Sequence, residues 1–409
     1  MAGSKKYSGY VQLDYAPAKD DLVMLYKIKP AKGISFEQAA EAVAAESSIG
    51  TWTEIATMSP EIKKMGAKVF DIRGNYAKIA YPLELFEPGN MPQIWSSVAG
   101  NIFNMKDIES LRLEDAQWPQ ALVKSFRGPM HGIPGVRKLL KVKTRPLCGT
   151  IIKPKLGLSE KGHAKVAYNA WIGGLDIVKD DENLTSQPFN KFYSRVKETL
   201  KLRDKAEKET GEKKMYMANV SAETKEMLKR AHFVKSCGGE YAMVDILTVG
   251  WSGLQTLREE NEDLKLVLHA HRAMHGAITR NKNHGISMAF IADAAKLIGV
   301  DQLHIGTAVG KMLETKEDVI ALSKRVKPVF PVCSGGLYPG LIPPLVRMLG
   351  NDIIIQAGGG VHGHPWGTTA GAKAMRQAID ATMAKKTLKE WAKTHKELDL
   401  AVKKWGYER

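Results

Sequence analysis

The sequence predicts an α/β protein whose larger part is a (β/α)8 barrel preceded by a small α+β domain. Two observations lead to this prediction. From about Leu147 onward, eight short β-rich runs alternate with amphipathic helical stretches. Successive runs begin roughly 25–40 residues apart, which is the length of one strand-plus-helix unit. The first 130 residues or so follow a different pattern, in which strand-like stretches surround one clear helix.

The barrel prediction depends on the number and order of these units. The runs are GTIIKPK (149–155), LDIVKDD (175–181), MYMANVS (215–221), EYAMVDI (240–246), LKLVLHAH (264–271), DQLHIGT (301–307), PVFPVCSGG (328–336) and NDIIIQAGGG (351–360). Between two of them, Phe192, Val196 and Leu200 recur on one helical face and Gly211 marks a stop. Eight such units indicate a closed TIM barrel. A doubly wound open sheet is the alternative, but no Gly-x-Gly-x-x-Gly motif follows the first run.

The N-terminal part predicts a separate α+β domain. Residues 10–17 and 21–30 alternate like strands, and residues 68–86 resemble two strands around an Asn. The stretch after Ser35 is predicted to be a capped helix with an acid in its first turn. We expect a ferredoxin-like domain over residues 1–128 and a barrel domain over 129–409. The boundary is expected near the Gly- and Pro-rich segment GPMHGIPGVRK (128–138).

Composition narrows the possible classes of protein. The chain has 409 residues, of which 44% are hydrophobic and 25% charged, and its formal net charge is +16. Such a charge allows a nucleic-acid-binding protein as an alternative. However, the lysines are mixed with acids along predicted helices and are not interleaved with aromatic residues, which favours a solvated surface without a nucleic-acid partner. A positive field also attracts small anionic substrates.

The expected cellular location follows from the absence of membrane, signal-peptide and disulfide patterns in the sequence. No stretch of about 18 apolar residues is present, so no membrane partner is expected. The start MAGSKKYSGY has no apolar signal core. Cys148, Cys237 and Cys333 are far apart and odd in number. They argue against a disulfide framework and indicate a cytoplasmic protein.

Charged residues and glycines follow the predicted barrel strands, where proteins of this fold carry their active sites. They are Lys153 and Lys155, then Lys179, Asp181 and Glu182, then His269, His271 and Arg272, then His304 and Lys311, then Ser334, Gly335 and Gly336, and finally Gly358, Gly359 and Gly360. Taken singly, a lysine beside acids is more often a salt bridge, and a lone histidine is more often structural. Together at one rim they favour a site for an anion or a metal.

Two kinds of ligand fit these strand ends. Asp181 and Glu182 offer hard oxygen donors that suit Mg²⁺. Lys179 faces the same side as Asp181 because strand side chains alternate. Its amine becomes a possible metal ligand only if it reacts with CO2 to form a carbamate. The glycine clusters after the last two runs favour phosphate binding through bare backbone N–H groups, and a simple tight turn is the alternative for each.

Long motifs in the chain resemble one family. The segments GGLDIVKDDEN, HAHRAMH, IGTAVGK, SGGLYPG, QAGGGVHGHPWG, AAESSIGTWT and GNIFNMK are similar to the large chain of ribulose-1,5-bisphosphate carboxylase/oxygenase (RuBisCO), most of all to its archaeal form III branch. The resemblance covers nearly the whole chain. It implies that ribulose 1,5-bisphosphate and CO2 or O2 are substrates, with Mg²⁺ and an activating CO2 as cofactors. It also implies a homodimer or a larger assembly of dimers with shared active sites, and no small subunit is evident.

The resemblance also implies roles for individual residues. Lys179 as a carbamate, Asp181 and Glu182 would bind Mg²⁺. Lys153, supported by Lys155, would act as general acid and base, and His271 would lie near the hydration step. Lys311 would stabilise the new carboxylate, paired with Glu46, while Asn101 would approach from a second subunit. One phosphate end would meet Arg272, His304, Ser334 and Gly335, and the other would meet Thr51, Trp52, Gly358 and Gly359.

Some positions depart from the family pattern. Ile151 stands where plant-type members have Thr, and Tyr338 stands where many members have His. The stretch from Lys311 to Ser334 is short, and the chain ends soon after Trp405. These departures concern lid closure and CO2/O2 selectivity and leave the metal site intact. The alternative function is that of a RuBisCO-like protein that enolises another phosphorylated sugar, although such proteins usually lose several of the residues kept here.

Overall fold

The computed structural model describes residues 7–53, 55–310 and 313–407. The strands are β1 (Leu22–Pro30), β2 (Lys68–Arg73), β3 (Tyr76–Tyr81), β4 (Ile108–Gln117), β5 (Leu147–Ile151), β6 (Ile177–Lys179), β7 (Met215–Asn219), β8 (Tyr241–Asp245), β9 (Val267–His271), β10 (Gly285–Ile286), β11 (Gln302–His304), β12 (Phe330–Ser334) and β13 (Ile354–Gln356). The helices are α1 (Phe36–Glu46), α2 (Pro60–Lys64), α3 (Met91–Val98), α4 (Gln120–Ser125), α5 (Gly132–Leu140), α6 (Glu160–Ile172), α7 (Phe192–Thr210), α8 (Thr224–Ser236), α9 (Ile246–Leu264), α10 (His275–Thr279), α11 (Met288–Ile298), α12 (Lys316–Arg325), α13 (Ile342–Leu349), α14 (Gly359–His362), α15 (Gly367–Met383), α16 (Leu388–Ala392) and α17 (Lys396–Trp405). Short 3₁₀ turns span Leu83–Leu85, Asn101–Asn104 and Pro339–Leu341.

The chain divides into two compact units. The first contains residues 1–127 and 274–297, and the second contains residues 128–273 and 298–409. The first unit has a mixed sheet in the order β10-β4-β1-β3-β2, in which β1 pairs antiparallel with β3 and β4. Helix α1 buries its alanine-rich face in the same hydrophobic cluster as β1. The return of residues 274–297 to this unit was not part of the sequence prediction.

The predictions for the first unit have mixed outcomes. Strand β1, the pair β2 and β3, and helix α1 are confirmed. Ser35 caps α1 with a capping box, in which its hydroxyl accepts from the Gln38 N–H while the Gln38 side chain accepts from the Ser35 N–H. The strand predicted at residues 10–17 is wrong, because Val11 forms only an isolated bridge to Val69. Strand β4 was missed, although the buried Leu111 and Leu113 stand two residues apart there, on either side of Arg112.

The second unit is a closed barrel of parallel strands, as predicted. Within the described part of the chain its order is β11-β12-β13-β5-β6-β7-β8-β9. Seven of the eight β-rich runs contain one of these strands, and β5 begins two residues before its run, at Leu147. The strands are shorter than the runs, because the charged and glycine residues at the run ends lie in the loops beyond the last strand-to-strand hydrogen bonds. Apolar side chains of several strands fill the interior, among them Leu147, Ile177, Met217 and Val332.

Helix α7 and its end also follow the sequence. Phe192, Val196 and Leu200 are buried, and Gly211 ends the helix with a φ of 69°, a conformation that costs glycine little. No helix in the described ranges has the length and apolar character needed to cross a membrane.

Candidate active site

The end of β6 brings the predicted metal-binding residues together. The Lys179 side chain is fully buried, and its Nζ donates to the Asp180 carbonyl at 2.7 Å. The same Nζ lies 3.7 Å from Oε2 of Glu182. Asp181 accepts from Nζ of Lys153 at 2.6 Å. The three predicted metal ligands and Lys153 therefore share one corner of the barrel rim.

Electrostatics favour a reactive amine at Lys179. Burial lowers the pKa of Lys179, and the neighbouring acids Glu182 and Asp245 only partly oppose this shift. A lowered pKa increases the fraction of neutral amine, which is the form that reacts with CO2. Burial acts against ionisation of Asp181, but hydrogen bonds from Lys153 and Asn183 hold the pKa of Asp181 below its usual value. The corner therefore combines an amine that loses its proton easily with a carboxylate that stays charged.

His271 is held by a residue that the sequence prediction missed. Its Nδ1 lies 2.8 Å from Oδ1 of Asp245, at the end of β8, and its Nε2 lies 3.6 Å from Oε2 of Glu182. An acid on Nδ1 fixes the ring orientation and leaves Nε2 facing the rim. Asp245 was visible in the run EYAMVDI, at the same strand-end position as the residues that were selected.

His304 lies in a chain of neutral polar groups. Gln302 Nε2 donates to the Tyr241 hydroxyl at 3.2 Å, which orients its Oε1 toward Nδ1 of His269 at 2.9 Å. His269 and His304 then meet through their Nε2 atoms at 2.9 Å. His304 Nδ1 lies 2.8 Å from the Ser334 hydroxyl. Burial lowers the pKa of both histidines well below the usual value, so His304 reaches the rim as a neutral ring that can accept a hydrogen bond from Ser334.

The two glycines after β12 are required by their backbone conformation, whereas those after β13 leave space beside Lys153. Gly335 and Gly336 have φ values of 118° and 81°, which side chains other than glycine rarely adopt. A Cβ added to Gly358 would lie 3.1 Å from Cε of Lys153. Gly359 begins the short helix α14 and has open space around it. These turns can therefore bring backbone N–H groups close to a ligand beside Lys153.

Arg272 has a partner that the sequence did not suggest. Its side chain is almost fully buried after β9, and its Nη2 donates to Oε1 of Glu314 at 2.6 Å. Glu314 precedes helix α12 by two residues. The guanidinium predicted to hold a phosphate is thus paired with a carboxylate of the same chain.

The contacts at this rim do not test several of the predicted site residues. Lys155 is exposed, and Lys311 lies outside the described residues. Four others belong to the first unit: Glu46, Thr51, Trp52 and Asn101. Glu46 accepts from the Tyr7 hydroxyl at 2.7 Å, and Trp52 is 67% exposed. Their participation in the site stays a prediction.

The donor set at the rim fits Mg²⁺ bound with a carbamylated lysine. In residues 7–53, 55–310 and 313–407, no group of three or more His, Cys, Asp or Glu side chains is arranged to hold a metal ion. Asp181 and Glu182 supply two hard carboxylates, and the Lys179 amine is close to Glu182. A carbamate on this amine would add the anionic oxygens that two carboxylates alone lack. These three side chains therefore fit Mg²⁺ only with a carbamate on Lys179.

Comparisons with known proteins agree over nearly the whole chain. Residues 9–122 match the N-terminal domain of the ribulose bisphosphate carboxylase large chain, and residues 132–405 match its catalytic domain. Ribulose bisphosphate carboxylase of Methanosarcina mazei is 50% identical, with 97% of this chain and 98% of that protein covered. The enzyme of Pyrococcus furiosus is 51% identical, with 98% of each covered.

Solved structures give the same result. An octameric RuBisCO from Pyrococcus horikoshii OT3, crystallised with sulfate, superposes with a TM-score of 0.93 at 49% identity, over 97% of this chain and 96% of that one. A dimeric archaeal RuBisCO from Hyperthermus butylicus superposes with a TM-score of 0.92 at 44% identity, over 98% and 99%. The chain therefore belongs to the RuBisCO large chain family and is similar to its archaeal members.

Proposed function

We propose that this protein is a ribulose-1,5-bisphosphate carboxylase/oxygenase. It adds CO2 or O2 to the enediolate of ribulose bisphosphate, and the CO2 reaction gives two molecules of 3-phosphoglycerate. The observation that carries the proposal is the convergence of Lys153, Lys179, Asp181, Glu182 and His271 at one barrel rim, in a chain that belongs to this family over nearly its full length.

The proposed cofactors are Mg²⁺ and a CO2 molecule bound as the Lys179 carbamate. Asp181, Glu182 and the carbamate would hold the ion. When bound, Mg²⁺ supplies Lewis-acid stabilisation of the negative charge that develops on the substrate oxygens. The buried position of Lys179 and its lowered pKa support carbamate formation, since the neutral amine is the nucleophile.

The residues of the chain then handle protons and positions. A carbamate on Lys179 would supply the base for the C3 proton of the bisphosphate, and loss of that proton gives an enediolate whose C2 forms the bond to CO2. Water adds at C3, and His271, whose ring is oriented by Asp245, would accept a proton from that water. The C2–C3 bond then breaks, and Lys153 returns a proton to C2 of the product released there. The contact between Lys153 and Asp181 supports this role, because it keeps the ammonium at the rim.

The substrate's two phosphate ends are proposed to bind on opposite sides of this centre. Arg272, His304, Ser334 and Gly335 would hold one end. Gly358 and Gly359, with Thr51 and Trp52, would hold the other. The positive φ of Gly335 and the close approach of Lys153 to Gly358 support backbone contacts to phosphate oxygens. Lys155 would support Lys153, and Lys311 would stabilise the new carboxylate.

Product analysis tests the proposal. The protein is incubated with ribulose bisphosphate, Mg²⁺ and labelled bicarbonate, and we expect label in 3-phosphoglycerate. Preincubation with CO2 and Mg²⁺ should raise the initial rate. Lys179→Ala should abolish carboxylation, whereas Lys208→Ala, which changes an exposed lysine of α7, should not. Exchange of the C3 proton with solvent without any carboxylation would instead favour a RuBisCO-like enolase.

We further propose a cytoplasmic homodimer, or an assembly of dimers without a small subunit, whose sites are shared between chains. The dimeric and octameric structures of similar proteins support the assembly, and the three free cysteines support the location. Glu46 and Asn101 would reach the barrel of the partner chain. Mixing inactive Glu46→Ala and Lys179→Ala chains should then restore part of the activity, since one site of each mixed dimer is intact. Mixed dimers that form and stay inactive would contradict shared sites.

A further inference from the structure

Arg272, which is expected to bind substrate, already forms an ion pair with Glu314. Arg272 is 5% exposed, so its charge needs a partner in the free protein. Glu314 supplies one through a single contact, from Nη2 to Oε1 at 2.6 Å. The guanidinium is therefore occupied before any ligand arrives.

This pair leaves hydrogen-bonding capacity unused. Nη1 of Arg272 and Oε2 of Glu314 are both buried and have no hydrogen-bond partner in the described structure. A guanidinium offers a planar fork of donors that matches two oxygens at once. A phosphate group presents several oxygens and can satisfy Nη1 and Nη2 together, which the single Glu314 contact does not do. The site is thus better matched to a phosphate than to its present partner.

Gly306 makes the close approach of the two side chains possible. It follows β11 with a φ of 89°, and a Cβ added there would lie 2.9 Å from Nη2 of Arg272 and 3.3 Å from Cδ of Glu314. The guanidinium and the carboxylate therefore pack directly against a bare backbone. On the other side of Glu314, Thr315 caps helix α12 by accepting from the Asp318 N–H. Withdrawal of Glu314 consequently requires no change in the helix itself.

We propose that Glu314 is an internal competitor for the phosphate site on Arg272. In the free enzyme it neutralises the buried guanidinium, and a phosphate end of the substrate displaces it on binding. This inference rests on the proposed function for the assignment of a phosphate to Arg272. Glu314 thereby lowers the affinity for the bisphosphate, because one charge-assisted contact must be given up for each phosphate bound.

The test compares phosphate affinity in variants of Glu314. Binding of inorganic phosphate to the whole enzyme is measured by calorimetry for the wild type, Glu314→Gln and Glu314→Ala. We expect the phosphate Kd to fall by about tenfold in the alanine variant, the size of one charge-assisted hydrogen bond, and by less in the glutamine variant, which can still accept weakly from Arg272. The KM for ribulose bisphosphate should fall with it, while kcat changes less. Glu317→Gln, three residues further on and exposed, removes the same charge and should leave the phosphate Kd unchanged.

Two controls locate the effect. In a background of Arg272→Gln, the Glu314 substitution should no longer raise phosphate affinity, as a double-mutant cycle requires for a direct interaction. Phosphate should also raise the Tm of Glu314→Ala more than that of the wild type, since it restores a partner for the guanidinium. An unchanged or weaker phosphate affinity in both Glu314 variants would overturn the proposal. Because phosphate binding needs no turnover, that result is distinct from absent carboxylation, which would overturn the proposed function instead.

Discussion

Asp180 and Asp181 are neighbours of the same residue type, yet they face opposite sides of the end of β6. Asp180 is completely buried behind the strand and is surrounded by polar partners: Nη2 and Nε of Arg195 at 3.1 and 3.2 Å, the Tyr216 hydroxyl at 2.7 Å, Nε2 of His163 at 3.0 Å and the Asn219 N–H at 3.0 Å. Asp181 turns to the rim, where Lys153 and Asn183 are its partners. Alternation of side chains along a strand separates them.

The difference shows which polar residues stabilise the fold and which are free to react. Burial works against the charge of Asp180, but Arg195 and His163 hold its pKa well below the usual value. Arg195 also donates to the Thr185 carbonyl at 2.8 Å and so anchors the loop that carries Asp181 and Glu182. Around Asp180 the partners are numerous and shielded from solvent. At the rim they are fewer, and partners such as Glu314 can be exchanged for a ligand.

The largest expected effect comes from breaking the cluster around Asp180. Arg195→Met removes the guanidinium partner and leaves a buried carboxylate whose remaining donors include the neutral Tyr216 hydroxyl and the Asn219 N–H. We expect a loss of about 3–5 kcal/mol in the free energy of unfolding, measured by denaturant titration. Carboxylation should fall with the folded fraction.

The matching change at the rim should behave in the opposite way. Asp181→Asn keeps an acceptor for Lys153 but removes a charge proposed to bind Mg²⁺. We expect the free energy of unfolding to change by less than about 1 kcal/mol, while carboxylation is abolished. If both variants lose stability equally, the division of the two sides into structural and reactive is wrong.

His362 allows a pH-dependent test of the comparison, because its ring, like the Asp180 carboxylate, is held by several hydrogen bonds within the fold. Its Nε2 lies 2.9 Å from the Thr150 hydroxyl and 3.0 Å from the Ile151 carbonyl, and its Nδ1 lies 3.0 Å from the Thr368 hydroxyl. Burial lowers the pKa of His362 to about 4. The unfolded chain, with an ordinary histidine pKa of about 6.5, binds the proton first. Stability from this group is therefore complete above pH 6.5 and is lost as the pH falls toward 4, up to about 3 kcal/mol.

Comparison with His362→Gln separates the contribution of this histidine to the pH dependence of stability from those of other titrating groups. The difference in unfolding free energy between the wild type and the variant should be largest above pH 6.5 and should shrink toward pH 4. A difference that stays constant over this range would mean that the histidine does not remain neutral in the folded protein.

The sequence predicted those parts of the fold and of the site that a recognisable residue pattern marks. The barrel strands were predictable because each buried apolar run is followed by charged or glycine residues, and the same feature located Lys153, Lys179, Asp181 and Glu182. Asp245 carried that signal too and was overlooked. Glu314 could not have been found this way, since it follows no strand directly. Its contact with Arg272 depends on the space that the missing side chain of Gly306 leaves. No hydrophobic periodicity in the sequence indicates that residues 274–297 belong to the first unit. The sequence likewise does not indicate that Asp180 and Asp181 have different hydrogen-bond partners.

The smallest expected effect comes from removing a single partner of Asp180. Tyr216→Phe deletes the hydroxyl that donates to Asp180 at 2.7 Å and accepts from Nε of Arg195 at 3.2 Å, and it adds no polar group that needs a partner. We expect a loss of about 1.5 kcal/mol in unfolding free energy, near the value for one hydrogen bond to a charged group. Since Tyr216 faces away from the rim, kcat and KM should keep their wild-type values in Tyr216→Phe. A fall in kcat without a fall in stability would mean that the cluster around Asp180 takes part in the reaction rather than only supporting the strand that carries it.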